Sequence, residues 1–266
     1  MAKKIKKTNQ DKIAAKKAAV LGTHKKNRLP VAIAAVGVFI IAAARILKPW
    51  WRLKGSIPVA DDINFKIAEG EFIAVMGESG AGKSTLLGIM GAMNAPTSGR
   101  LIVDGIDVYG LHQEQQADFR REFLGFIFQS FHLVPYLPVI ENVMLPLAVI
   151  KMGNWKKREM AKEALAQVGL ADKSHRLPNQ ISGGESERVA IARAIVNEPP
   201  VLLADEPTGN LDKKNTQEIM ELLGRLNRDG MTIVMVTHSQ KCAHHAHRII
   251  HISDGYLTAD SICNKA

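Results

Sequence analysis

The stretch that decides the fold is VMGESGAGKSTLLGIM, residues 75–90. Within it, GESGAGKST at 77–85 fits the pattern G-x-x-x-x-G-K-[ST] in full, between an apolar strand-like run and an apolar helix-like run. Glycines allow positive φ angles and a close approach of the backbone, so the N–H groups can turn inward at a helix N-terminus. The pattern therefore predicts a loop that binds the phosphates of a nucleoside triphosphate.

Each residue of this loop has its own predicted role. Lys83 is expected to place its ammonium on the β- and γ-phosphates, Ser84 to ligate Mg²⁺, and Thr85 to contact phosphate through its backbone or hydroxyl. The rest of the loop is expected to surround the phosphates with backbone N–H groups, which belong to Gly77, Glu78, Ser79, Gly80, Ala81 and Gly82.

The flanking sequence alternates short apolar runs with longer helical patterns. Continuous apolar runs bounded by turn residues predict buried strands of a parallel sheet, at 71–77, 200–207 and 231–238. Apolar residues with helical spacing predict helices, at 83–93, 186–198 and 217–228. Asp104-Gly105 predicts the turn of a hairpin over 99–108, and 130–197 is mostly helical in pattern. The sequence thus indicates an α/β fold, with one sheet core and a helical insertion.

Polar side chains follow several of these apolar runs. Asp205 is expected to hold the Mg²⁺ shell through water, and the adjacent Glu206 to polarise the attacking water as a general base. His238 ends another apolar strand and is expected at the same carboxyl edge of the sheet, within reach of the γ-phosphate. Gln129 also follows an apolar run and is a candidate for sensing Mg²⁺ and the attacking water.

Composition adds a basic N-terminal segment to this picture. The chain has 266 residues, enough for one large domain or two small ones, and a net charge of +9. Ten of its 35 basic residues and one of its 26 acidic residues lie in 1–28, so the rest of the chain is neutral. A neutral body argues against a nucleic-acid surface on the main domain. The tail is either a solvated arm or a segment that favours an anionic membrane or nucleic acid.

Neither the cysteines nor the histidines give a strong signal. Two cysteines, Cys242 and Cys263, form no disulfide framework, and a reducing compartment is the default interpretation. The sequence CAHHAHRIIH at 242–251 makes zinc ligation conceivable, but only His244 and His247 have the spacing of one helical face.

A second phosphate-binding helix terminus is predicted at ISGGESERVAIARA, residues 181–194. A domain with two such termini far apart cannot close both on one nucleotide, whereas a second copy of the chain can supply the other. With these residues the chain resembles the nucleotide-binding subunit of an ABC (ATP-binding cassette) transporter. The order of motifs matches: Walker A at 77–85, Q-loop at Gln129, signature at 181–185, Walker B at 201–206, D-loop GNLD at 209–212, and the switch His238.

The resemblance implies a P-loop NTPase (RecA-like) core of mostly parallel sheet, an antiparallel β subdomain and a helical signature subdomain at about 130–197. It also implies that the signature residues cap the γ-phosphate of the ATP bound to an opposing subunit, and that the D-loop adds Asp212. The signature residues concerned are Ser182, Gly183, Gly184 and Glu185. The chain departs from the family in Glu185-Ser186-Glu187, where Glu-Gln-Gln is more usual.

Residues 128–147 and 203–212 resemble the MacB/LolD/FtsE-like group, whose subunits pair with membrane permeases in export, lipoprotein release or cell-division signalling. This implies a dimeric, ATP- and Mg²⁺-dependent hydrolase at the cytoplasmic face of the inner membrane. Apolar residues after Gln129 are expected to form an exposed permease-docking patch, among them Phe131, Leu133 and Leu137. The alternative is a soluble ABC-type ATPase that acts on a nucleic acid or a protein assembly. Cargo contacts are expected on the permease, so this sequence names no cargo.

The apolar run at 29–44 has two competing interpretations. As a transmembrane anchor it is short, since its 16 residues are below the roughly 20 that a spanning helix needs. A signal peptide fits the pattern of a basic n-region followed by an apolar run, but this n-region is long for one. In the family the first strand ends in an aromatic that stacks on adenine, 20 residues before the Gly-Glu pair that is here Gly70-Glu71. That position is Trp50, with Trp51 as the competing choice. Residues 41–47 would then be strand, and the predicted domains are an extension at 1–38 and a cassette at 39–266.

Overall fold

The computed structural model describes residues 15, 16, 18, 20, 40–47 and 58–263, with side chains for the first four and from residue 63 onward. Trp50 and Trp51 lie outside the described residues, so the predicted adenine contact remains a prediction. The same holds for 29–39, the first part of the apolar run. Among the described residues, no helix has the length and apolar character needed to cross a bilayer.

Six strands of the described part of the chain form one mixed sheet, in the order β10-β9-β3-β8-β7-β6. The strands are β3 (Phe72–Met76), β6 (Leu124–Ile127), β7 (Val201–Asp205), β8 (Thr232–Val236), β9 (Arg248–Ser253) and β10 (Tyr256–Ile262). All neighbouring pairs are parallel except β9 and β10. β3 and β8 are buried along their whole length, as continuous apolar runs predict. The mostly parallel core predicted from the sequence is confirmed.

A smaller sheet is antiparallel, with four described strands in the order β2-β1-β4-β5. The strands are β1 (Ile40–Leu47), β2 (Pro58–Ile67), β4 (Leu101–Val103) and β5 (Ile106–Asp107). β1 contains the second part of the apolar run, so residues 41–47 form a strand and not a membrane helix. In the predicted hairpin, Asp104 and Gly105 both take positive φ angles, 49° and 75°, as a tight two-residue turn requires.

The helices connect and cover the strands. In chain order they are α1 (Lys83–Met90), α2 (Gln113–Phe123), α3 (Val139–Met144), α4 (Asn154–Gln167), α5 (Gly183–Ile195), α6 (Lys213–Arg228) and α7 (Gln240–Ala243). Short 3₁₀ turns occur at Val108–Gly110, Leu145–Leu147, Ala171–Lys173 and Pro178–Gln180. α3, α4 and α5 lie within 130–197, where the helical insertion is predicted.

Apolar side chains pack on both faces of the main sheet. Successive residues of a strand point to opposite faces, and accordingly Phe72 belongs to one apolar cluster and Ile73 to the other. The first cluster includes residues of α3–α7, such as Leu165 and Leu223. The second includes α1, α2 and the small sheet, represented by Phe119. Because apolar side chains cover both faces of the sheet, polar functional side chains are expected at the ends of the strands.

Part of the N-terminal extension lies against the cassette. The Nζ atom of Lys16 donates to the carbonyl of Asn197 (2.8 Å) and to that of Glu198 (2.7 Å), just beyond the C-terminus of α5. Cations are favoured at this end of a helix, where the last carbonyls lack intrahelical partners. Val20 is fully buried in the second apolar cluster.

Candidate nucleotide site

The glycine-rich loop connects β3 to α1 at the carboxyl edge of the parallel strands. At Gly77 a Cβ atom would lie 2.1 Å from the carbonyl oxygen of Ile252, so a side chain has no room there. Gly82 is the N-cap of α1 with φ 96°, a left-handed conformation that favours glycine. These glycines explain why the loop can fold tightly over the start of a helix, where phosphate is favoured.

Lys83 follows the loop and is buried with its ammonium turned back over it. Its Nζ atom donates to the carbonyl oxygens of Gly77 (2.8 Å) and Glu78 (2.6 Å). An ammonium has three donors, so these two bonds leave one for a phosphate oxygen. The charge is thus held where the helix N-terminus also favours an anion.

Ser84 and Asp205 come together from different elements. The Ser84 hydroxyl donates to Oδ1 of Asp205 over 3.2 Å. Burial raises the pKa of Asp205, the Ser84 hydrogen bond opposes that shift, the charge of Glu206 adds to it, and Lys83 counteracts it. A hydroxyl and a carboxylate oxygen are the hard ligands that Mg²⁺ prefers, so the residues present fit this ion.

Glu206 and His238 meet beside this pair. His238 Nδ1 lies 3.0 Å from Glu206 Oε2, with Glu206 mostly buried and His238 two-thirds exposed. Glu206 has φ 48°, and its N–H donates to the carbonyl of Val236 on the neighbouring strand. A turn of this kind can bring two adjacent carboxylates to one site, although neighbours on a strand point apart.

Gln129 is exposed just beyond the end of β6. Its carbonyl accepts a hydrogen bond of 3.0 Å from the Asn210 side chain of the predicted D-loop. The turn after it is held by Arg193, which donates to the carbonyls of Phe131 and His132. These contacts of Asn210 and Arg193 could not be predicted from the motifs that contain them, because the partners are backbone carbonyls distant in sequence.

The signature segment forms the capped start of α5. The backbone N–H of Glu185 donates to Ser182 Oγ (3.2 Å), and the N–H of Ser182 donates to Glu185 Oε2 (2.8 Å). This reciprocal pair is a capping box. The hydrogen bond from the Ser182 backbone is the main cause that lowers the pKa of the Glu185 carboxyl. Ser182 and Gly183 are exposed, so this helix terminus faces outward.

Gly184 joins the signature segment to the predicted D-loop. A Cβ atom on Gly184 would lie 2.0 Å from Oδ1 of Asn215. Asn215 in turn donates through its backbone N–H (2.9 Å) and its side chain (2.7 Å) to the two carboxylate oxygens of Asp212, the N-cap of α6. These bonds, the backbone one first, lower the pKa of Asp212. Asn215 therefore links two segments that sequence reasoning treated separately.

Glu187, which stands where the family more often has glutamine, places a carboxyl group in the core. Glu187 is 1% exposed, and no described group bonds its Oε1 atom. Burial raises the pKa of Glu187 to about 8, with Arg193 acting in the opposite direction. The more usual glutamine would carry no such titratable group at this position.

A groove of about 500 Å³ opens beside the helical insertion. Its lining is mostly apolar and also contains three arginines; it includes Met93, Phe126, Phe128, Leu145, Val149 and Arg193. The predicted docking residues Phe131, Leu133 and Leu137 are half-buried instead of exposed, and Leu133 packs against the core. The patch is thus less exposed than predicted, since all three side chains are half-buried, and its docking role stays a prediction.

In the segment 242–251, His247 and Cys242 have structural contacts. Phe72 N–H donates to Nδ1 of His247 over 3.2 Å, and Cys242 Sγ lies 3.4 Å from Thr208 Oγ1. Within the described ranges, no group of three or more His, Cys, Asp or Glu side chains is arranged to hold a metal ion. The contacts of His247 and Cys242 instead tie this segment to β3 and to the turn after β7.

The arrangement is that of a P-loop nucleotide hydrolase: a phosphate loop, a Mg²⁺-type oxygen pair, and a carboxylate beside a histidine. The ABC transporter family matches residues 60–209. The chain belongs to this family. It is the ATP-binding and ATP-hydrolysing subunit of an ABC transporter, with ATP and Mg²⁺ as ligands.

Similar proteins agree with this assignment. The uncharacterized ABC transporter ATP-binding protein YvrO of Bacillus subtilis is 45% identical over 207 residues, which cover 78% of this chain and 90% of that protein. MacB of Bartonella henselae, a macrolide export ATP-binding/permease protein, is 43% identical over 210 residues, which cover 79% of this chain but 32% of that protein. The predicted membership of the MacB-like group is confirmed.

A solved structure shares the fold. The ATP-binding cassette MJ0796, in a dimeric post-hydrolysis state bound to ADP and Pi, has a TM-score of 0.77 and 38% identity; the alignment covers 86% of this chain and 100% of that one. The predicted fold class is thereby confirmed.

Proposed function

We propose that this cassette works in a head-to-tail dimer that closes on two ATP–Mg²⁺ and drives a partner membrane permease. The observation that carries the proposal is the exposed, capped N-terminus of α5 at Ser182 and Gly183, a second phosphate-binding terminus in addition to the loop. The solved relative MJ0796 is described as dimeric. In such a dimer, Ser182–Glu185 of one copy would meet the γ-phosphate held by the loop of the other.

Within one copy, the side chains around the loop divide the work. Lys83 and the loop N–H groups hold the phosphates, while Ser84, Asp205 and Gln129 hold the Mg²⁺ shell. Glu206 takes the proton of the attacking water, and His238 orients the Glu206 carboxylate and contacts the γ-phosphate. The 3.0 Å contact between Glu206 and His238 supports this division.

The groove beside the helical insertion is the proposed docking site for the permease. An apolar lining with Met93, Phe126, Phe128 and Val149 suits an amphipathic helix laid into a groove. Three apolar residues of this lining are exposed, Val149 by 72%, Met93 by 46% and Leu145 by 39%, and a contiguous exposed apolar patch is typical of an interaction surface. In this proposal the cassette is a peripheral subunit at the cytoplasmic face of the membrane, and its basic tail is a further contact to the membrane surface.

Co-purification combined with an ATPase assay tests this function. The tagged chain is extracted from membranes in mild detergent, and the proteins recovered with it are identified. We expect a polytopic permease and hydrolysis that depends on Glu206. A Val149→Glu variant should lose the permease and keep ATP binding, whereas Lys162→Glu, on an exposed part of α4, should keep both.

Recovery of a soluble particle without a permease, with the same hydrolysis, would contradict the permease part of the proposal. It would instead favour the ATPase acting on a protein assembly. ATP-dependent dimerisation is scored separately, by size-exclusion chromatography of Glu206→Gln, so the two parts of the proposal stand or fall independently.

A further inference from the structure

Arg193 on α5 holds the turn that follows Gln129. Its Nη1 atom donates to the carbonyl of His132 over 2.6 Å, and its Nη2 atom to the carbonyl of Phe131 over 2.7 Å. One planar guanidinium therefore binds two consecutive carbonyls, an arrangement that fixes both distance and orientation. These two carbonyls lie only two and three residues beyond Gln129.

The turn needs such support, because its conformation is unfavourable on its own. His132 has φ 47°, in the left-handed region that residues with a Cβ atom seldom adopt. The His132 ring also packs edge-on against Phe128, with ring centroids 5.3 Å apart. Gln129 thus lies between a buried strand and a strained turn that Arg193 fastens to the signature helix.

Arg193 is half-buried and also lines the groove. Burial lowers the pKa of Arg193, and the Glu187 carboxyl on the same helix opposes this shift. The side chain also lines the groove next to Phe128 and Val149. Arg193 therefore connects the signature helix, on which it lies, to the turn after Gln129, and it also lines the groove.

We propose that Arg193 is a positioning residue for Gln129. By holding the carbonyls of Phe131 and His132 in one plane, it determines where the Gln129 side chain meets Mg²⁺ and the attacking water. This inference rests on the role proposed above for Gln129. A lysine at 193 would keep the charge and most of the reach, but an ammonium has no planar fork and cannot hold both carbonyls in the same way.

The test measures kcat, the KM for ATP and the Mg²⁺ concentration for half-maximal ATPase activity in the full chain. For Arg193→Lys we expect kcat to fall about tenfold, since small displacements of positioning groups reduce rate steeply. The KM for ATP should change less than about twofold, because the phosphate loop is untouched. The Mg²⁺ requirement should rise. Arg225→Lys is the matched control, since Arg225 also donates to a backbone carbonyl, that of Gln167, away from this turn.

A double-mutant cycle distinguishes the positioning role of Arg193 from the role proposed for Gln129, on which it rests. If Arg193 acts through Gln129, Arg193→Lys should cost little further activity in a Gln129→Ala background. An equal loss in both backgrounds would overturn the inference. A Gln129→Ala variant with parental kcat and Mg²⁺ dependence would instead overturn the role of Gln129. Circular dichroism shows whether each variant is folded. If Arg193→Lys is unfolded, Arg193→Gln, which keeps a planar donor, takes its place in the same cycle.

Discussion

His238 Nδ1 and Glu206 Oε2 lie 3.0 Å apart, although the two residues follow different strands of the sheet. β7 and β8 are adjacent and parallel, and the N–H of Glu206 donates to Val236, two residues before His238. The left-handed turn at Glu206 brings its carboxylate towards the imidazole. The contact thus depends on the order of the strands and on one unusual backbone angle, that of Glu206. It holds the Glu206 carboxylate next to the hydrogen-bonded pair of Asp205 and Ser84.

Replacing Glu206 with glutamine should abolish hydrolysis while leaving ATP binding intact. The amide keeps the size of the side chain but cannot accept a proton from water, so kcat should fall by about 10²-fold or more. Steady-state ATPase assays and binding of a fluorescent ATP analogue measure the two properties. ATP should also trap the variant as a dimer. Hydrolysis at the parental rate would show that another group is the base.

Replacing Asp205 with asparagine should weaken Mg²⁺ binding and change its pH dependence. Burial raises the pKa of Asp205, and a proton on this carboxyl competes with the cation. For the parent, the apparent Mg²⁺ affinity should therefore fall as pH is lowered through that raised pKa. The asparagine variant should bind Mg²⁺ weakly at every pH. Titration of Mg²⁺ into the nucleotide-bound protein at several pH values measures this, and an unchanged affinity in the variant would remove Asp205 from the ion's shell.

The elements around the phosphate loop could be predicted because their signals are local. The apolar run at 231–238 and the pattern Gly77–Thr85 contain their own strand and turn chemistry, and β8 and α1 form there. The predicted strand at 200–207 ends earlier, at Asp205, because Glu206 leaves the extended region with φ 48°. α6 begins at Lys213, before the predicted 217, since Asp212 caps a polar first turn that has no apolar periodicity.

The contacts between the motifs could not be predicted in the same way. Arg193 and Asn210 bind backbone carbonyls, whose positions carry no residue-type signal in the sequence. The packing of Gly184 on Asn215 depends on how two helices meet. The groove likewise combines residues from 93 to 197, so sequence reasoning placed the docking patch on the neighbouring half-buried residues.

Replacing Glu187 with glutamine should stabilise the fold at alkaline pH. Burial raises the pKa of Glu187 from 4.5 to about 8, so between these values the folded chain holds a proton that the unfolded chain releases. The stability contributed by the neutral carboxyl is present below about pH 4.5 and is lost as pH rises to about 8. Above that pH the folded parent buries a carboxylate charge that the glutamine amide lacks, so the variant should be more stable by about 1–3 kcal/mol.

Urea unfolding at pH 5 and pH 9 measures the effect of Glu187→Gln, which should appear mainly at pH 9. Glu185→Gln is the control, because it should destabilise the fold by a similar amount at pH 5 and at pH 9. The lowered pKa of Glu185 stabilises the fold above its unfolded value and is lost as pH falls. A stability difference for Glu187→Gln of the same size at both pH values would mean that the Glu187 carboxyl does not titrate between them.

Two neighbouring glycines of the signature segment should respond differently to alanine. A Cβ atom on Gly184 would lie 2.0 Å from Oδ1 and 2.5 Å from Cγ of Asn215. Asn215 cannot move aside without breaking its 2.7 Å bond to Asp212. Gly184→Ala should therefore destabilise the folded chain by about 1–3 kcal/mol, the usual cost of overpacking.

On Gly183 the nearest atom to a Cβ is Leu211 Cδ2, at 4.0 Å, so Gly183→Ala should leave stability within about 1 kcal/mol of the parent. Its methyl group would instead lie on the exposed surface that we propose meets the ATP of the opposing copy. Gly183→Ala should consequently lower ATPase activity without lowering the thermal midpoint, as measured by calorimetry and phosphate release. Equal thermal midpoints for the two variants would contradict the packing of Gly184 on Asn215, and parental activity of Gly183→Ala would contradict its place at the dimer interface.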